Sequence, residues 1–436
     1  MIRGRPSVCT AVLGVLAVAT TTGARAQDVG PSPPAAATRQ APLISLTIDE
    51  AVRRALDSNL NLLAERFNVK VADAAVVTAA LRPNPVLTIS GARPDQLLTD
   101  AGIATDEVVF RTDYIVEGGG KRERRVDQAQ LAKSVAELQL LNTTRNLVLD
   151  VQSAFVDVQL AKLNLALARD NLQAFNNVVQ INAERVRTGD LSQVELSRSQ
   201  LAMLQFENDV RQQEAKLIVA RNRLSTLIGL GPDGSALDVM GELRRDAASA
   251  DYDLLRRRAL ETRPDLRAVR ADQARNAADL RLQLANGKID YTISGEYHRE
   301  SGGGLSGNSY LLALSVPLPV FNRNQGEVAR AQAQQDQLGA KIRAVENDVS
   351  NEVANAYAGY AASRDVVKSI EDRMLTQAQN VRSVTEYSYR RGEASFIEFL
   401  DAVRAYNDTM QNYNSARADY ARSLYTLDSI AGRGNP

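Results

Sequence analysis

The sequence predicts a mainly α protein with a small β part: long antiparallel coiled-coil helical hairpins plus four β-strands per chain. Three observations carry this expectation. The chain echoes itself: Ala55-Leu56 recurs as Ala259-Leu260, and Thr88-Ile89-Ser90-Gly91 as Thr292-Ile293-Ser294-Gly295, both 204 residues on. Val186-Arg187-Thr188-Gly189 with Glu195 is likewise echoed by Tyr389-Arg390-Arg391-Gly392 with Glu398, at a spacing of 203. Three echoes in one order point to a duplicated architecture. Two long proline-free stretches carry apolar side chains at heptad spacing, and four short segments alternate apolar and polar residues with period two.

Arg3 and Arg5, the apolar run Val8 to Ala19 and Ala24-Arg25-Ala26 mark residues 1–26 as an export signal peptide. The run is too short to span a bilayer as a helix. Cleavage would remove Cys9, the only cysteine, and with it any thiol, disulfide or cysteine-based metal site. It would leave 49 basic against 52 acidic residues, a balance that gives no sign of nucleic-acid binding. No later segment holds 18 consecutive apolar residues, so no transmembrane helix is expected. An exported chain can still span a membrane as a β-barrel.

Residues 27–45, rich in Pro and Ala, read as an N-terminal linker. A first structural repeat covers 46–234. Ser45-Leu46-Thr47 opens a helix through Leu62, with Thr47 and Glu50 spaced as a capping box. A second helix over 64–82 ends at Pro83 and Pro85. Strands follow at about 86–92 and 107–116, joined by a loop over 93–106. Val108, Phe110, Thr112, Tyr114 and Val116 alternate in the second strand with Val109, Arg111, Asp113 and Ile115. A helix over about 121–187 then runs for roughly 100 Å. Val151, Val158, Leu165, Leu172, Val179 and Val186 recur in it every seventh residue, with Ala154, Ala161 and Ala168 three places after the first three. Gly189 breaks it, and a helix over 191–229 returns.

After a linker over 235–250, a second repeat covers 251–432. It has a helix from Asp251 to about Glu261, strands at about 289–299 and 309–316 with a loop over 300–309, and a long helix at about 327–391. In the third strand Ile289, Tyr291, Ile293, Gly295 and Tyr297 alternate with Asp290, Thr292, Ser294, Glu296 and His298; Tyr310, Leu312, Leu314 and Val316 follow on the fourth. The seam of the long helix is Val349, Val353, Ala356, Tyr360, Ser363, Val367, Ile370, Met374, Gln377, Val381 and Val384, interrupted only by Gly339 and Gly359. Gly392 breaks the helix, and a last helix spans 395–431 before a tail at 433–436. Four strands cannot close a membrane barrel, which starts at about eight. An open sheet in lipid leaves edge groups unbonded. The chain is therefore expected to oligomerise; three copies would give a twelve-stranded barrel continued by an α-helical barrel.

The words Leu46-Thr47-Ile48-Asp49-Glu50-Ala51, Pro83-Asn84-Pro85, Glu117-Gly118-Gly119-Gly120-Lys121-Arg122, Pro317-Leu318-Pro319-Val320-Phe321-Asn322, and Asp401-Ala402 with Tyr406-Asn407 resemble those of the outer-membrane efflux (TolC-like) family, as do the two glycine-centred turns. The resemblance covers about 45–432. Pro-Asn-Pro before the first strand and Gly-Gly-Lys-Arg after the second are most like the outer-membrane component of heavy-metal-cation (cobalt-zinc-cadmium type) RND efflux systems. The resemblance implies a passive exit duct in the Gram-negative outer membrane, extending into the periplasm. Its partners would be an inner-membrane RND pump, a periplasmic membrane-fusion adaptor and outer-membrane lipid. Drug efflux or type I secretion on the same fold is the alternative cargo. A periplasmic structural coiled-coil protein is the alternative of another class, and it leaves the four strands unexplained.

The resemblance also implies a periplasmic gate of acidic rings at the hairpin turns, with Glu398 and Asp401 after Gly392 and Glu195 after Gly189. Each carboxylate could instead sit on a solvated helix face. Tyr389, Arg390 and Arg391 are candidate gate tethers, since Ala394 stands where some family members have a basic residue. His298 is the only histidine and reads as a loop or lumen residue with Asp290 and Glu296, and no metal site is expected. Tyr114, Tyr291, Tyr297 and Tyr310 suit an interfacial belt or ordinary packing. Gly302-Gly303-Gly304-Leu305-Ser306-Gly307 matches a dinucleotide fingerprint in letters only, because a strand and not a helix follows. Gly118 to Lys121 lacks the P-loop spacing. No catalytic constellation and no cofactor is expected, so the chain reads as no enzyme.

Overall fold

A computed structural model describes residues 44–93, 101, 106–231, 237–247, 251–302 and 305–432. The expected export signal, most of the N-terminal linker and the tail at 433–436 lie outside the described residues. In chain order the elements are β1 (Ile44–Leu46), α1 (Ile48–Ser58), α2 (Leu60–Ala80), β2 (Val86–Ala92), β3 (Asp106–Val116), α3 (Lys121–Thr188) and α4 (Gln193–Leu227). The second half adds β4 (Leu237–Val239), α5 (Tyr252–Thr262), α6 (Pro264–Asn286), β5 (Tyr291–Gly302), β6 (Leu305–Ser315), α7 (Gln325–Ser369), α8 (Leu375–Arg391) and α9 (Phe396–Ile430).

The four long strands form one antiparallel sheet in the order β2-β3-β5-β6, so the two halves meet at the β3–β5 pair. The register brings Phe110 opposite Tyr297 and Tyr297 opposite Tyr310. One face therefore carries Leu87, Ile89, Val108, Phe110, Tyr291, Ile293, Tyr310, Leu312 and Leu314, all at least 40% exposed. All four candidate belt tyrosines lie on this face by register. The other face is polar. Arg111 pairs there with Asp113 at 2.9 Å and Glu296 at 3.2 Å, and Ser294 hydrogen-bonds Asp113. Most of the expected loop at 300–309 is strand, with Glu300 opposite Gly307 and Ser301 opposite Ser306.

Both expected linkers also contain strand. Ile44–Leu46 pairs in parallel with Leu237–Val239, where a helix start and an irregular link are expected from sequence. Three-residue runs are too short to show a period, and the pairing is non-local. Leu46, Leu237 and Val239 are buried against Val151, Ala154 and Val158 of α3. Asp238 anchors this strap through Lys162 and Arg221, each at 3.0 Å. Burial acts to raise the Asp238 pKa, but the hydrogen bonds from Lys162 and Arg221 outweigh it and hold the carboxyl below its ordinary value.

The Thr47–Glu50 capping box forms, but α1 stops at Ser58 instead of Leu62. Asn59 is the reason: its side chain accepts from the Leu62 amide to start α2 and donates to the Leu227 carbonyl at 3.0 Å. The sequence reading leaves out α6, which begins with Pro264 in its first turn, where proline's missing N–H costs nothing.

The Glu117-Gly118-Gly119-Gly120-Lys121-Arg122 word is the weld between β3 and α3. Gly119 and Gly120 sit at φ +71° and +70°, and a Cβ on Gly118 would lie 1.9 Å from the Ile289 carbonyl oxygen. Lys121 follows, and its buried ammonium bonds Asp290 at 2.7 Å and the Lys288 carbonyl at 2.9 Å. Asp290 also accepts from the Gly118 amide at 2.8 Å, while Glu117 pairs with Arg125. One short segment thus joins the end of one half's sheet to the start of the other's.

The heptad seams hold only part way. Val151, Ala154, Val158, Ala161, Leu165 and Ala168 are buried, but the buried line then passes to Asn171, Phe175, Val178 and Asn182 instead of Leu172 and Val179. Gly339 and Gly359 do not interrupt α7, because packing outweighs a glycine cost of about 1 kcal/mol. The interruption lies at Ile370–Met374, a π-helical turn joining α7 to α8. Such a turn carries one extra residue and rotates all that follows. Val349, Val353 and Tyr360 are buried before it and Ile370 at its start, whereas Met374 at its end and Val381 and Val384 beyond it are exposed and Tyr389 becomes the buried residue of α8.

Two outcomes are expected from this arrangement. Gly118→Ala should destabilise the protein by on the order of 3 kcal/mol or more, since the clash is with backbone; an unchanged thermal midpoint would remove the weld. Asp238 has a depressed folded pKa, so the strap's contribution is complete above about pH 4 and is lost as pH falls through the lower folded value. Hydrogen exchange at the β1 and β4 amides should accelerate on acidification over that range, and less so in Asp238→Asn.

Candidate functional site

The far ends of the two helical hairpins are built alike. α3 and α8 each end on a left-handed glycine, Gly189 at φ +87° and Gly392 at φ +81°. Asp190 N–H bonds the Arg185 carbonyl at 2.8 Å, and Glu393 N–H bonds that of Ser388 at 2.9 Å, closing both helix ends with the backbone bonds that a left-handed residue permits. Ser192 and Ser395 then cap the returning helices, accepting from the amides of Glu195 and Glu398.

The candidate acidic residues have unequal freedom. Glu398 is exposed, but its carboxylate folds back to accept from the Ser395 amide at 2.7 Å and hydroxyl at 3.0 Å. Those two donations hold its carboxyl below the usual range. Asp401, one turn further on, is exposed and makes no hydrogen bond or ion pair among the described residues. Glu195 is half-buried on the other hairpin. Neither candidate arginine turns toward these carboxylates. Arg390 pairs with Glu386 at 2.5 Å, and Arg391 lies 4.4 Å from the Tyr387 ring centre, both on their own helix.

Tyr389 instead crosses between the hairpins. Its hydroxyl donates to the Asn182 side-chain oxygen at 2.8 Å in a buried setting. Its ring stacks on Phe399 at 5.1 Å and 7°, and Phe399 stacks in turn on Phe175 at 5.9 Å. Phe175 also meets Phe206 at 4.5 Å. Side chains from α3, α4, α8 and α9 thus form one aromatic cluster across both hairpins, with Ala394 and Leu400 packed on it. The small side chain of Ala394 fits because its neighbours are rings. Arg185 lies 6.0 Å over the Tyr389 ring and reaches the Gly392 turn. Burial pushes the Tyr389 phenol up; the Asn182 bond and Arg185 oppose this in part, and the charge of Glu195 adds to the rise. The phenol is therefore neutral and a hydrogen-bond donor.

Phe175, Asn182 and Arg185 were not singled out from sequence. The available signal was compositional: four of the chain's eight phenylalanines lie within seventeen residues of a turn glycine, and all four enter the cluster. His298, on the polar face of β5, bonds Glu107 at 2.7 Å and Glu296 at 2.9 Å through its two ring nitrogens. Asp290, expected beside it, is taken by Lys121. No group of three or more His, Cys, Asp or Glu side chains among the described residues is placed to hold a metal ion. No helix among the described residues is long and apolar enough to cross a membrane. The arrangement offers joints, a sheet with one apolar face and an aromatic cluster that ties the hairpin tips together.

This organisation matches a known one. A family model described as outer membrane efflux protein matches the chain twice, over residues 51–230 and 255–433. The chain belongs to that family. It is accordingly an outer-membrane efflux channel with a helical part in the periplasm, a transport duct and not an enzyme. It is 24% identical to the cobalt-zinc-cadmium resistance protein CzcC of Cupriavidus metallidurans, over 89% of this chain and 90% of that one. To the cation efflux system protein CusC of Escherichia coli it is 25% identical, over 56% of this chain and 55% of that one. The crystal structure of the outer membrane protein VceC from Vibrio cholerae has the same fold, with a TM-score of 0.71 at 17% identity, covering 88% of this chain and 96% of that one.

The tip cluster gives two checks. Phe175→Ala removes a fully buried ring and should cost about 3–5 kcal/mol; Tyr389→Phe, which removes one hydrogen bond, should cost about 1 kcal/mol. Hydrogen exchange in the hairpin tips should rise more in Phe175→Ala than in Tyr389→Phe while the sheet amides stay protected. Equal protection in both variants would show that the cluster does not hold the tips together.

Proposed function

We propose that this channel works as a homotrimer, with twelve strands closing a barrel in the outer membrane and the helices forming a tunnel below it. The observation that carries the proposal is the open four-stranded sheet. Its edges, β2 and β6, have no strand partner among the described residues, and its apolar face is exposed. Unbonded edge groups in hydrocarbon cost several kcal/mol each, and closure with further copies satisfies them. The two matches of the family model support division of each chain into two structural repeats, 46–234 and 251–432. The trimer would then have a roughly six-fold tunnel.

The cargo we propose is heavy-metal cations, delivered by an inner-membrane RND pump through a periplasmic adaptor. CzcC and CusC, named for metal resistance and cation efflux, support that reading. The hairpin tips are the proposed gate. Three copies of Asp401, with Glu398 and Glu195, would line the entrance with negative charge, which favours cations where walls focus the field. Tyr389 is the proposed tether, with Asn182 as its acceptor. Arg390 and Arg391, held on their own helix, are supports for α8 in this scheme.

The channel reading is tested by detergent extraction and planar-bilayer recording: a trimer with discrete conductance is expected, and a soluble monomer without conductance would overturn it. For the gate, Asp401→Asn should weaken block by multivalent cations and lower cation preference. Glu398→Gln should change both less, because its carboxylate is engaged by Ser395. Unchanged block in the double variant would remove the gate assignment. Deletion of the protein should raise sensitivity to cobalt, zinc or cadmium if the cargo is as proposed, and leave it unchanged if another substrate class is carried.

A further inference from the structure

Beside the π-helical turn, a cavity of about 170 Å³ opens between α7, α9 and the segment after β4. Five cationic side chains line it, Arg244, Arg245, Arg364, Lys368 and Arg417, against one carboxylate, Glu371. Such a concentration of like charge is unfavourable unless something offsets it. Part of the offset is internal. Arg244 bonds Asp246 at 2.6 Å and Asp428 at 2.5 Å, and Arg364 pairs with Asp365 at 3.0 Å.

The remainder is not offset. Arg245 and Lys368 are exposed and make no ion pair or hydrogen bond among the described residues. Arg417 has only the face of the Tyr413 ring, 5.3 Å away. Glu371, within the π turn, is engaged by the Tyr413 hydroxyl at 2.7 Å. Three cations thus have no carboxylate partner among the described residues, and the five together against Asp246, Asp428, Asp365 and Glu371 leave a formal excess of one positive charge. The Tyr420 phenol at the wall is pushed up to about 12, mainly by burial, and so adds no negative charge at neutral pH.

We propose that this cavity binds a compact tetrahedral dianion of the phosphate class, held by Arg245, Lys368 and Arg417. Forked guanidinium donors and an ammonium suit phosphate-type oxygens, and charge-assisted bonds of this kind are about twice as strong as neutral ones. The source is soluble oxyanion and not a lipid headgroup. Lys368 lies 43 residues beyond the start of α7, about 65 Å along the helix from the end of the sheet. A bound anion would tie the segment after β4 to α7 and α9 at the level where the π turn re-aims α8. The site is thus placed to stiffen the helices at their change of phase.

The test is calorimetric titration of the detergent-extracted full chain with inorganic phosphate, against chloride at matched ionic strength, with sulfate as a second tetrahedral dianion. Saturable binding of both is expected. Arg245→Gln with Lys368→Gln should weaken it at least tenfold, and Lys368→Arg should keep it. Arg256→Gln with Arg257→Gln removes the same charge from an exposed face of α5 and should leave it unchanged. Thermal unfolding checks that each variant is folded, and Lys368→Gln alone is read in the same way should the double variant fail. No saturable phosphate or sulfate binding in the unaltered chain would overturn the site. Equal weakening in the two double variants would too.

Discussion

The open edges of the four-stranded sheet govern the rest of the molecule. Each strand is long enough to cross much of a bilayer, yet β2 and β6 each present a row of backbone donors and acceptors with no partner among the described residues. The apolar side chains of one face are exposed, with nothing among the described residues to cover them. A sheet like this is stable only against something that completes it. Inside the chain the same demand is met at β3–β5, where the two halves pair along eleven residues from Asp106 to Val116. That internal pair is also where the helices are welded on. Lys121 of the first half is buried on Asp290 of the second, so strand pairing and helix direction are fixed together.

From that weld the helices run away from the sheet, and their inner faces must keep meeting over a length on which a strict heptad drifts. An α-helix gains about 20° per heptad on a perfect 3.5-residue repeat. Both long helices depart from their heptads at matching levels, near Asn171 in α3 and at Ile370–Met374 between α7 and α8. The first change moves Phe175, Val178 and Asn182 inward, and the second moves Tyr389 inward. The aromatic cluster at the tips depends on both. Without the π turn, the line through Val381 and Val384 would face the core and Tyr389 would turn away from Asn182.

Much of the fold was legible because its signals are local and repeated. The strand at 86–92, the glycine stops and the Thr47 cap follow from alternation, φ > 0 and capping chemistry, each readable in a few residues. The strap between β1 and β4 was not, because three residues show no period and their partners lie almost two hundred residues apart. Helix α6 has no counterpart in the sequence reading, although Pro264 suits a first turn. The phase changes were invisible for a related reason: a heptad pattern can be continued on paper through Leu172 and Met374, and only the packing of neighbouring helices shows that it stops. At the tips, the turn glycines were readable. The partner of Tyr389 was not, since a single Asn182 within a long helix carries no pattern.

The choice of a neutral partner matters for how the tips can open. Asn182 accepts from a phenol whose ionisation burial disfavours, so their bond contains no group that titrates near neutral pH. Around it are rings, with the Arg185 guanidinium 6.0 Å over that of Tyr389. The nearby charges are disposed differently: Glu398 is tied to its own helix start, and Asp401 faces outward unpaired. Cohesion and charge are therefore carried by separate residues. A cation drawn to the proposed acidic ring would meet Asp401 without touching the bond that holds the hairpins. In the proposed gate, parting the tips would mean displacing one hairpin against the other and breaking the Tyr389–Asn182 bond.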